Sequence, residues 1–269
     1  MRIVDSAPAL AEALERPRSG TAIGLVPTMG SLHEGHLSLI RMAAAECSNV
    51  VASVFVNPTQ FGEAQDIDRY PRQLDRDAEL AASAGADMIF APTVDYMYPD
   101  GFETWVEVTD TARGLEGDAR LGHFRGVATV CLKLFNLVAP DIVYFGWKDA
   151  QQTAVIHRMI RDLDLTLTLR LGATVREPDG LAMSSRNAQL STAERERASL
   201  LPRALTAGVA AYTDGDDPSD AALAVLATDD AIEVDYVQQM TAHDHRLLCA
   251  AVRIGTTRLI DNVILEEPA

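Results

Sequence analysis

Two histidines three residues apart are the side chains whose type and spacing first suggest chemistry. His33 and His36 lie between an apolar run, 23–26, and a segment with helical spacing, 37–42, which predicts a strand, a loop and a helix. The first N–H groups and the positive dipole end of such a helix attract an anion. Imidazoles can carry charge near neutral pH, and the glycines beside them let a phosphate approach the backbone. The segment therefore predicts a phosphate-binding loop.

Two other interpretations of this histidine pair are weaker. A zinc site is disfavoured because metalloprotease helices place their histidines four residues apart with the glutamate second, whereas here Glu34 stands within a three-residue spacing. Either histidine alone would be interpreted as a solvated surface residue. The pair with flanking glycines, at a strand-to-helix junction, favours a functional role.

Polar residues also follow two further apolar runs. Asn57 and Gln60 come after the valine-rich run 50–56, and Lys148 follows 141–145 across a glycine. The carboxyl ends of parallel strands form one edge, where open α/β sheets bind ligands. Lys148 would act there as a point charge for phosphate, unless Lys148 and Asp149 only begin the next helix.

Two loops extend the candidate site. Ser184, Ser185 and Arg186 combine hydroxyls with a guanidinium, which suits phosphate oxygens. The glycine-punctuated segment 114–126 carries Arg120 and His123, and is either a flexible anion-contacting segment or a solvated loop. Since the chain has neither G-x-G-x-x-G nor G-x-x-x-x-G-K-[ST], a nucleotide would have to be held by the histidine loop, Lys148 and the Ser-Ser-Arg loop instead.

Alternating strands and helices must position these residues, and this alternation predicts a parallel sheet with right-handed crossovers. After Gly172 the pattern changes, and Ser191 with Glu194 forms a capping box for a long helix. The predicted fold class is α/β: a Rossmann-like doubly wound parallel sheet with a smaller C-terminal α+β domain. The predicted strands are 23–26, 50–56, 88–92, 141–145, 165–171 and 232–238, with two more within 247–265 and a possible one at 105–108; the predicted helices include 5–16, 71–84, 127–138, 150–163, 192–212 and 221–227.

Composition limits the partners. The 269 residues are 48% hydrophobic, and 39 acidic against 23 basic residues give a formal charge of −16, which disfavours nucleic acid and anionic membranes. Cys47, Cys131 and Cys249 are odd in number and far apart, as expected for buried side chains in a reducing cytosol. We find no signal peptide or membrane-spanning pattern. These observations predict a cytoplasmic protein.

The motifs together resemble one family. The segments PTMG…HEGH, VNPTQF, HFRG, GWKD…QQ and MSSRN are similar, in this order through nearly the whole chain, to the pantothenate synthetases, or pantoate–β-alanine ligases. His-x-Gly-His alone marks a wider superfamily of nucleotidylyltransferases and class I aminoacyl-tRNA synthetases. The Asn57–Gln60 loop and the Gly-x-Lys-Asp-x-Gln-Gln stretch make the resemblance specific, although Trp147 stands where a polar residue is expected.

The resemblance implies ATP-dependent condensation of pantoate with β-alanine through a pantoyl adenylate, with Mg²⁺ accompanying ATP. It also implies a homodimer. The sequence does not show which residues bind magnesium. It implies an ATP- and pantoate-binding domain, 1–172, and a smaller domain, 173–269, closing over the site. It assigns catalysis to His36, as proton donor, His33, Lys148 and Arg186. ATP would be bound by these and Met29, Gly30, Gly146, Trp147, Asp149, Val175, Met183, Ser184 and Ser185, and pantoate or β-alanine by Gln60, Asn57, Gln152, Arg120 and His123, the last two on a mobile flap.

Rival functions remain open at this point. Another member of the superfamily would pass AMP to a phosphate instead of a carboxylate. A tRNA synthetase is disfavoured by the net charge and the small C-terminal domain. A nucleotide-binding regulator without turnover is disfavoured because pure binding needs fewer charges on the phosphates than His33, His36, Lys148 and Arg186 supply.

Overall fold

The computed structural model describes residues 1–14, 22–62 and 70–266. The chain divides into two compact units: unit 1 comprises Met1–Gly146 and Val155–Gly172, and unit 2 comprises Trp147–Ala154 and Ala173–Ala269. None of the helices in the described ranges is long and apolar enough to cross a membrane.

Unit 1 is built on a six-stranded parallel sheet with the order β1-β4-β3-β2-β5-β6. The chain runs outward from β2 to β3 and β4 on one side and from β5 to β6 on the other, so the topological switch point lies between β2 and β5. The strands are β1 (Arg2–Val4), β2 (Ile23–Thr28), β3 (Asn49–Val54), β4 (Met88–Phe90), β5 (Ile142–Gly146) and β6 (Thr168–Gly172).

Helices cover both faces of this sheet, which explains why its central strands are almost continuously apolar. Leu25 of β2 belongs to a buried cluster with α1, α6 and α7, whereas the next residue, Val26, belongs to a second cluster with α2 and α3. The helices of this part of the chain are α1 (Ala7–Ala13), α2 (Glu34–Glu46), α3 (Leu74–Ala84), α4 (Val94–Met97), α5 (Leu115–Ala119), α6 (His123–Val138) and α7 (Ala150–Asp162).

Unit 2 contains a three-stranded antiparallel sheet, β7-β8-β9, and helices that pack on it. The predicted fold class, a doubly wound parallel sheet with a smaller α+β part, is confirmed. These elements are α8 (Thr192–Ala198), α9 (Leu200–Asp214), α10 (Pro218–Leu226), β7 (Ile232–Ala242), β8 (His245–Ile254) and β9 (Thr257–Glu266).

The predicted helix over 192–212 is two helices. The capping box forms as expected, with Ser191 and Glu194 exchanging hydrogen bonds, but α8 ends at Ala198 and α9 begins at Leu200. Pro202 has no N–H to donate to the carbonyl of Ala198, and its ring would clash with that carbonyl in a continuous helix. The break therefore follows from one residue inside the predicted span.

The possible strand at 105–108 does not form. The amide of Val106 donates instead to Thr129 Oγ1 of α6, at 3.0 Å. The guanidinium of Arg125 lies 4.5 Å from the ring centre of Trp105, and Lys133 Nζ lies 5.0 Å from that of Phe102. This segment is held against α6 by side chains, and the Val106 amide is not available to a neighbouring strand.

Differences at other element ends are smaller. The glycine-punctuated segment 114–126 is not loop throughout, because it contains α5 and the start of α6. The prediction missed β1, a three-residue strand at the edge of the sheet, beside β4. Of the helix predicted at 5–16, Ala7–Ala13 is helical, and residues 15 and 16 lie outside the described residues.

Candidate active site

The two histidines cap the helix that follows β2. His33 is the N-cap residue of α2; its Nδ1 accepts from the Gly35 amide at 3.2 Å, and Nδ1 of His36 accepts from the His33 amide at 3.4 Å. This is a reciprocal capping box in which two imidazoles occupy the positions usually held by Ser or Thr and Glu or Gln. The rings lie 4.1 Å apart between centres. The pair is thus fixed at the carboxyl end of β2, beside the switch point.

This capping arrangement also selects the tautomer of each ring. A backbone amide can only donate, so both Nδ1 atoms act as acceptors and carry no proton. A neutral imidazole then has its proton on Nε2, which is a hydrogen-bond donor. The capping arrangement therefore makes Nε2 the donor atom of each ring.

Asp77, at the start of α3, holds the loop that leads to His33. Its carboxylate accepts from the amides of Ser31, at 2.9 Å, and Leu32, at 2.7 Å, and the residue is 1% exposed. Ser31 has a φ of 52°, a conformation that costs about 1–3 kcal/mol for a residue other than glycine. Hydrogen bonds to a charged group contribute about 1.5–3 kcal/mol each, enough to offset this cost. A Cβ on Gly30, whose φ is 84°, would lie 2.8 Å from Asp77 Oδ2.

We expect Asp77→Asn to lower the rate of a reaction catalysed at the histidine loop about tenfold to a hundredfold. Asparagine replaces one of the two accepting oxygens with an NH₂ donor that faces a backbone N–H, and small displacements of reacting groups are costly. The measurement is the turnover rate together with the melting temperature. Asp75→Asn is the matched control, since Asp75 lies exposed on the same turn of α3. Equal rates for the two variants would contradict a positioning role for Asp77.

The second loop, after β3, is organised by Asn57. This side chain is 1% exposed; its Nδ2 donates to Gln60 Oε1 at 2.9 Å and to the carbonyl of Gly126 at 3.2 Å, and its Oδ1 accepts from the Tyr98 hydroxyl at 2.8 Å. Burial raises the pKa of Tyr98 to about 12. Gly126 is required at the contact, since a Cβ there would lie 2.4 Å from the carbonyl oxygen of Thr59. Asn57 thus orients Gln60.

Gln60 connects the predicted binding residues of unit 1. Its Nε2 lies 3.2 Å from the sulfur of Met29, in the histidine loop. The backbone carbonyl of Gln60 accepts from His123 Nδ1 at 2.8 Å and from Arg120 Nη2 at 3.2 Å. Because a guanidinium only donates, the 3.1 Å contact between Arg120 Nη1 and His123 Nε2 makes Nε2 an acceptor. Arg120 and buried His123 are therefore hydrogen-bonded to the backbone of the Gln60 loop.

In unit 2, Lys148 lies in a 3-10 turn, Trp147–Asp149, directly after β5. The Lys148 side chain is 17% exposed, and its Nζ lies 3.9 Å from Asp149 Oδ1. The Trp147 ring packs edge-on against the rings of His243 and His245, with centres 5.4 and 5.1 Å away. Gln152 follows, half-buried, on the first turn of α7. An aromatic side chain at 147 is thus accommodated by the β7–β8 turn.

The remaining predicted ATP-binding residues are joined by backbone pairing. The Met183 amide donates to the carbonyl of Val175 at 2.9 Å, and Ser184 caps the 3-10 turn Ser185–Gln189, its Oγ accepting from the Arg186 amide. Glu177 supports this loop by accepting from Asn187 Nδ2 at 2.6 Å. Burial raises the pKa of Glu177, but hydrogen bonds from Arg195 and Asn187 outweigh it and hold the pKa below its usual value.

The structure brings the predicted residues together within each unit. In unit 1, Met29, Asn57, Gln60, Arg120 and His123 form one chain of contacts that includes the histidine loop, and Gly146 ends β5. In unit 2, Val175 pairs with Met183, which precedes the turn containing Ser184, Ser185 and Arg186, while Lys148 lies in a separate turn. Sequence reasoning missed Asp77 and Tyr98, because their partners lie far along the chain. An aspartate in the first turn of a predicted helix is ordinarily assigned to that helix's own dipole.

Within the described residues, no three His, Cys, Asp or Glu side chains are grouped so that they could hold a metal ion.

A helix N-terminus carrying two imidazoles, at the carboxyl edge of a doubly wound parallel sheet, is the site of a nucleotide-binding α/β protein. Comparison with known proteins is more specific. The chain belongs to the Pantoate-beta-alanine ligase family, whose model matches residues 2–264. The resemblance noted from the motifs is thereby confirmed.

Relatives and solved structures agree over nearly the full length. The chain is 48% identical to a pantothenate synthetase of Geobacter sulfurreducens, with 99% of each chain covered, and 52% identical to that of Roseiflexus castenholzii, with 91% and 93% covered. A crystal structure of pantothenate synthetase from Thermus thermophilus superposes with a TM-score of 0.94 at 43% identity, covering 99% and 100% of the chains. That of the ligase from Francisella tularensis, complexed with β-γ ATP and β-alanine, gives 0.86 at 34%, covering 99% and 98%.

Proposed function

We propose that the chain catalyses the ATP-dependent condensation of pantoate with β-alanine to pantothenate, releasing AMP and pyrophosphate. Family membership supports the substrates, and the solved Francisella tularensis ligase was crystallised with an ATP compound and β-alanine. The observation that carries the proposal is the His33–His36 capping box at the carboxyl edge of the sheet. It supplies donors for the negative charge that spreads over a phosphoryl group during transfer.

The reaction has two steps. First, a carboxylate oxygen of pantoate bonds to the α-phosphorus of ATP, and the bond from that phosphorus to the bridging oxygen breaks, releasing pyrophosphate. Next, the β-alanine amine bonds to the acyl carbon of pantoyl adenylate, the acyl–phosphate bond breaks, and AMP leaves while the amine nitrogen loses a proton. Displacement at phosphorus depends mainly on positioning and charge neutralisation.

We assign the phosphates of ATP to the charged and donor residues. His33 and His36 donate hydrogen bonds from Nε2 to phosphate oxygens, and His36 is assigned the proton donor of the hydrogen bond to the leaving pyrophosphate, with the proton staying on Nε2. Lys148 bridges phosphate and carboxylate oxygens. The hydroxyls of Ser184 and Ser185 and the guanidinium of Arg186 bind pyrophosphate. Backbone and side-chain contacts to the rest of the nucleotide are assigned to Met29, Gly30, Gly146, Trp147, Asp149, Val175 and Met183.

Pantoate and β-alanine are assigned to amide and basic side chains. Gln60 and Gln152 contact pantoate, because an amide both donates and accepts and so fits a hydroxyl beside a carboxylate. Asn57 acts through Gln60, since its hydrogen-bonding groups are engaged inside the protein. Arg120 and His123 complete this side of the site. We propose residues 1–172 as the ATP- and pantoate-binding domain.

Mg²⁺ is proposed to enter with ATP and to be held mainly by phosphate oxygens, where it neutralises charge. We assign it no protein ligand. A homodimer in the cytoplasm is also proposed, in keeping with the family resemblance.

The test of the proposal is exchange of labelled pyrophosphate into ATP with Mg²⁺, with and without pantoate, in the absence of β-alanine. We expect exchange that requires pantoate, because adenylation is reversible and does not need the amine. ATP binding without pantoate-dependent exchange would contradict carboxylate activation. Transfer of AMP to a phosphate acceptor would then be examined next.

A further inference from the structure

The strand β9 carries two buried polar residues in succession, Asp261 and Asn262, which are 2% and 6% exposed. Buried polar groups need hydrogen-bond partners, and these two find theirs in segments to which the proposed function assigns ATP contacts. Sequence analysis gave neither residue a role.

Asn262 holds the turn that carries Lys148. Its Nδ2 donates to the carbonyl of Trp147 at 2.8 Å and to the carbonyl of Lys148 at 2.9 Å. Both amide hydrogens are thereby directed at adjacent carbonyls of one 3-10 turn. A side chain with an NH₂ group is required for this, because aspartate, serine or threonine cannot offer two donors from one atom.

Asp261 fixes this part of β9 and connects it to the segment that contains Val175. Its Oδ1 accepts from the Asn262 amide at 2.8 Å, and its carboxylate accepts from both Nη atoms of Arg176, at 2.6 and 3.1 Å. Arg176 Nη2 donates in turn to the carbonyl of Asn262, at 3.2 Å. Burial raises the pKa of Asp261, and Arg176 opposes this rise. The part of β9 that carries Asn262 is therefore held in place by Asp261 and Arg176.

We propose that Asn262 is a positioning residue that acts through Lys148. By fixing the carbonyls of Trp147 and Lys148, it sets the backbone from which the lysine side chain projects. The inference rests on the proposed function, because it needs Lys148 to act in adenylate formation. It adds a residue of β9 to those that determine the rate of that step.

The test is Asn262→Asp, which keeps the shape of the side chain and replaces the double donor with an acceptor facing two carbonyls. We expect the maximal rate of pantoate-dependent pyrophosphate exchange to fall at least tenfold, with the half-saturating ATP concentration changed less than threefold. Asp235→Asn is the control: Asp235 accepts from Arg253 and Arg258 on the same sheet, at 3.2 and 2.6 Å, and its loss should leave exchange within twofold.

A double-variant cycle separates positioning from a general loss of structure. If Asn262 acts through Lys148, Asn262→Asp combined with Lys148→Met should be no slower than Lys148→Met alone, since coupled residues are not additive. Asn262→Ala is measured in parallel in case the aspartate variant does not fold. The proposal would be overturned if the rate losses of Asn262→Asp and Lys148→Met were additive, or if Asn262→Asp exchanged within twofold of the unaltered protein. Unfolding of both Asn262→Asp and Asn262→Ala would also overturn it. Absence of exchange in the unaltered protein would instead reject the proposed function.

Discussion

Replacing His36 with glutamine is expected to slow pantoate-dependent pyrophosphate exchange about a hundredfold or more. Glutamine at the third helical position is an ordinary capping-box partner, so it can still accept from the His33 amide while the imidazole Nε2 donor is lost. Removing one donor to transition-state charge costs on the order of 3 kcal/mol, or roughly a hundredfold in rate. Exchange kinetics at saturating ATP and pantoate give the effect directly.

Arg41→Gln is the control for this variant, because Arg41 lies on the same helix and forms an exposed ion pair with Glu34, an interaction that contributes little. The melting temperatures of both variants should stay close to that of the unaltered protein. If His36→Gln exchanged within twofold of normal, His36 would be removed from the mechanism.

Replacing Lys148 with methionine is expected to have an effect of similar or larger size. The ammonium is a compact positive charge that we place against phosphate and carboxylate oxygens. Methionine has a similar length but no charge, so the negative charge of these oxygens is no longer neutralised by residue 148. The loss should appear in the maximal exchange rate, with a fold that is retained, because the ion pair between Lys148 and Asp149 is long, at 3.9 Å, and so contributes little to stability. Single-turnover formation of pantoyl adenylate isolates the step.

Lys133→Met serves as the companion variant, since Lys133, on α6, packs over the ring of Phe102 and has no assigned part in the reaction. Lys148→Arg tests geometry: a planar fork does not reproduce a point charge, so partial activity is expected. Full activity of Lys148→Met would show that adenylation proceeds without this charge.

The histidine loop could be predicted from sequence because its determinants are local. A strand, three glycines and a helix start lie within fourteen residues, 24–37, and the reciprocal capping of His33 and His36 uses neighbouring amides. The parallel sheet was predictable for the same reason, since each apolar run and the helix after it can be recognised separately. The break between α8 and α9 was within reach of the sequence too, because Pro202 stands inside the span.

The residues that hold the site could not be found in this way. Asp77 reaches Ser31 and Leu32 across the fold, and Asn262 reaches Trp147 and Lys148 from the last strand. The residues adjacent to Asp77 and Asn262 in the sequence do not predict their hydrogen-bond partners. An aspartate or asparagine by itself is usually interpreted as a solvent-exposed residue. Tertiary contacts decide these roles, whereas periodicity and spacing report only neighbours along the chain.

The small number of lysines in this chain has a practical consequence for chemical footprinting. Lys148 and Lys133 are the lysines of this sequence, one in the candidate site and the other over an aromatic ring of the segment packed on α6. An amine-acylating reagent followed by peptide mass spectrometry therefore compares one candidate-site side chain with one internal reference in the unaltered protein. Under the proposed assignment of Lys148 to ATP, we expect nucleotide to protect Lys148 Nζ from acylation relative to Lys133, without a tag or a substitution.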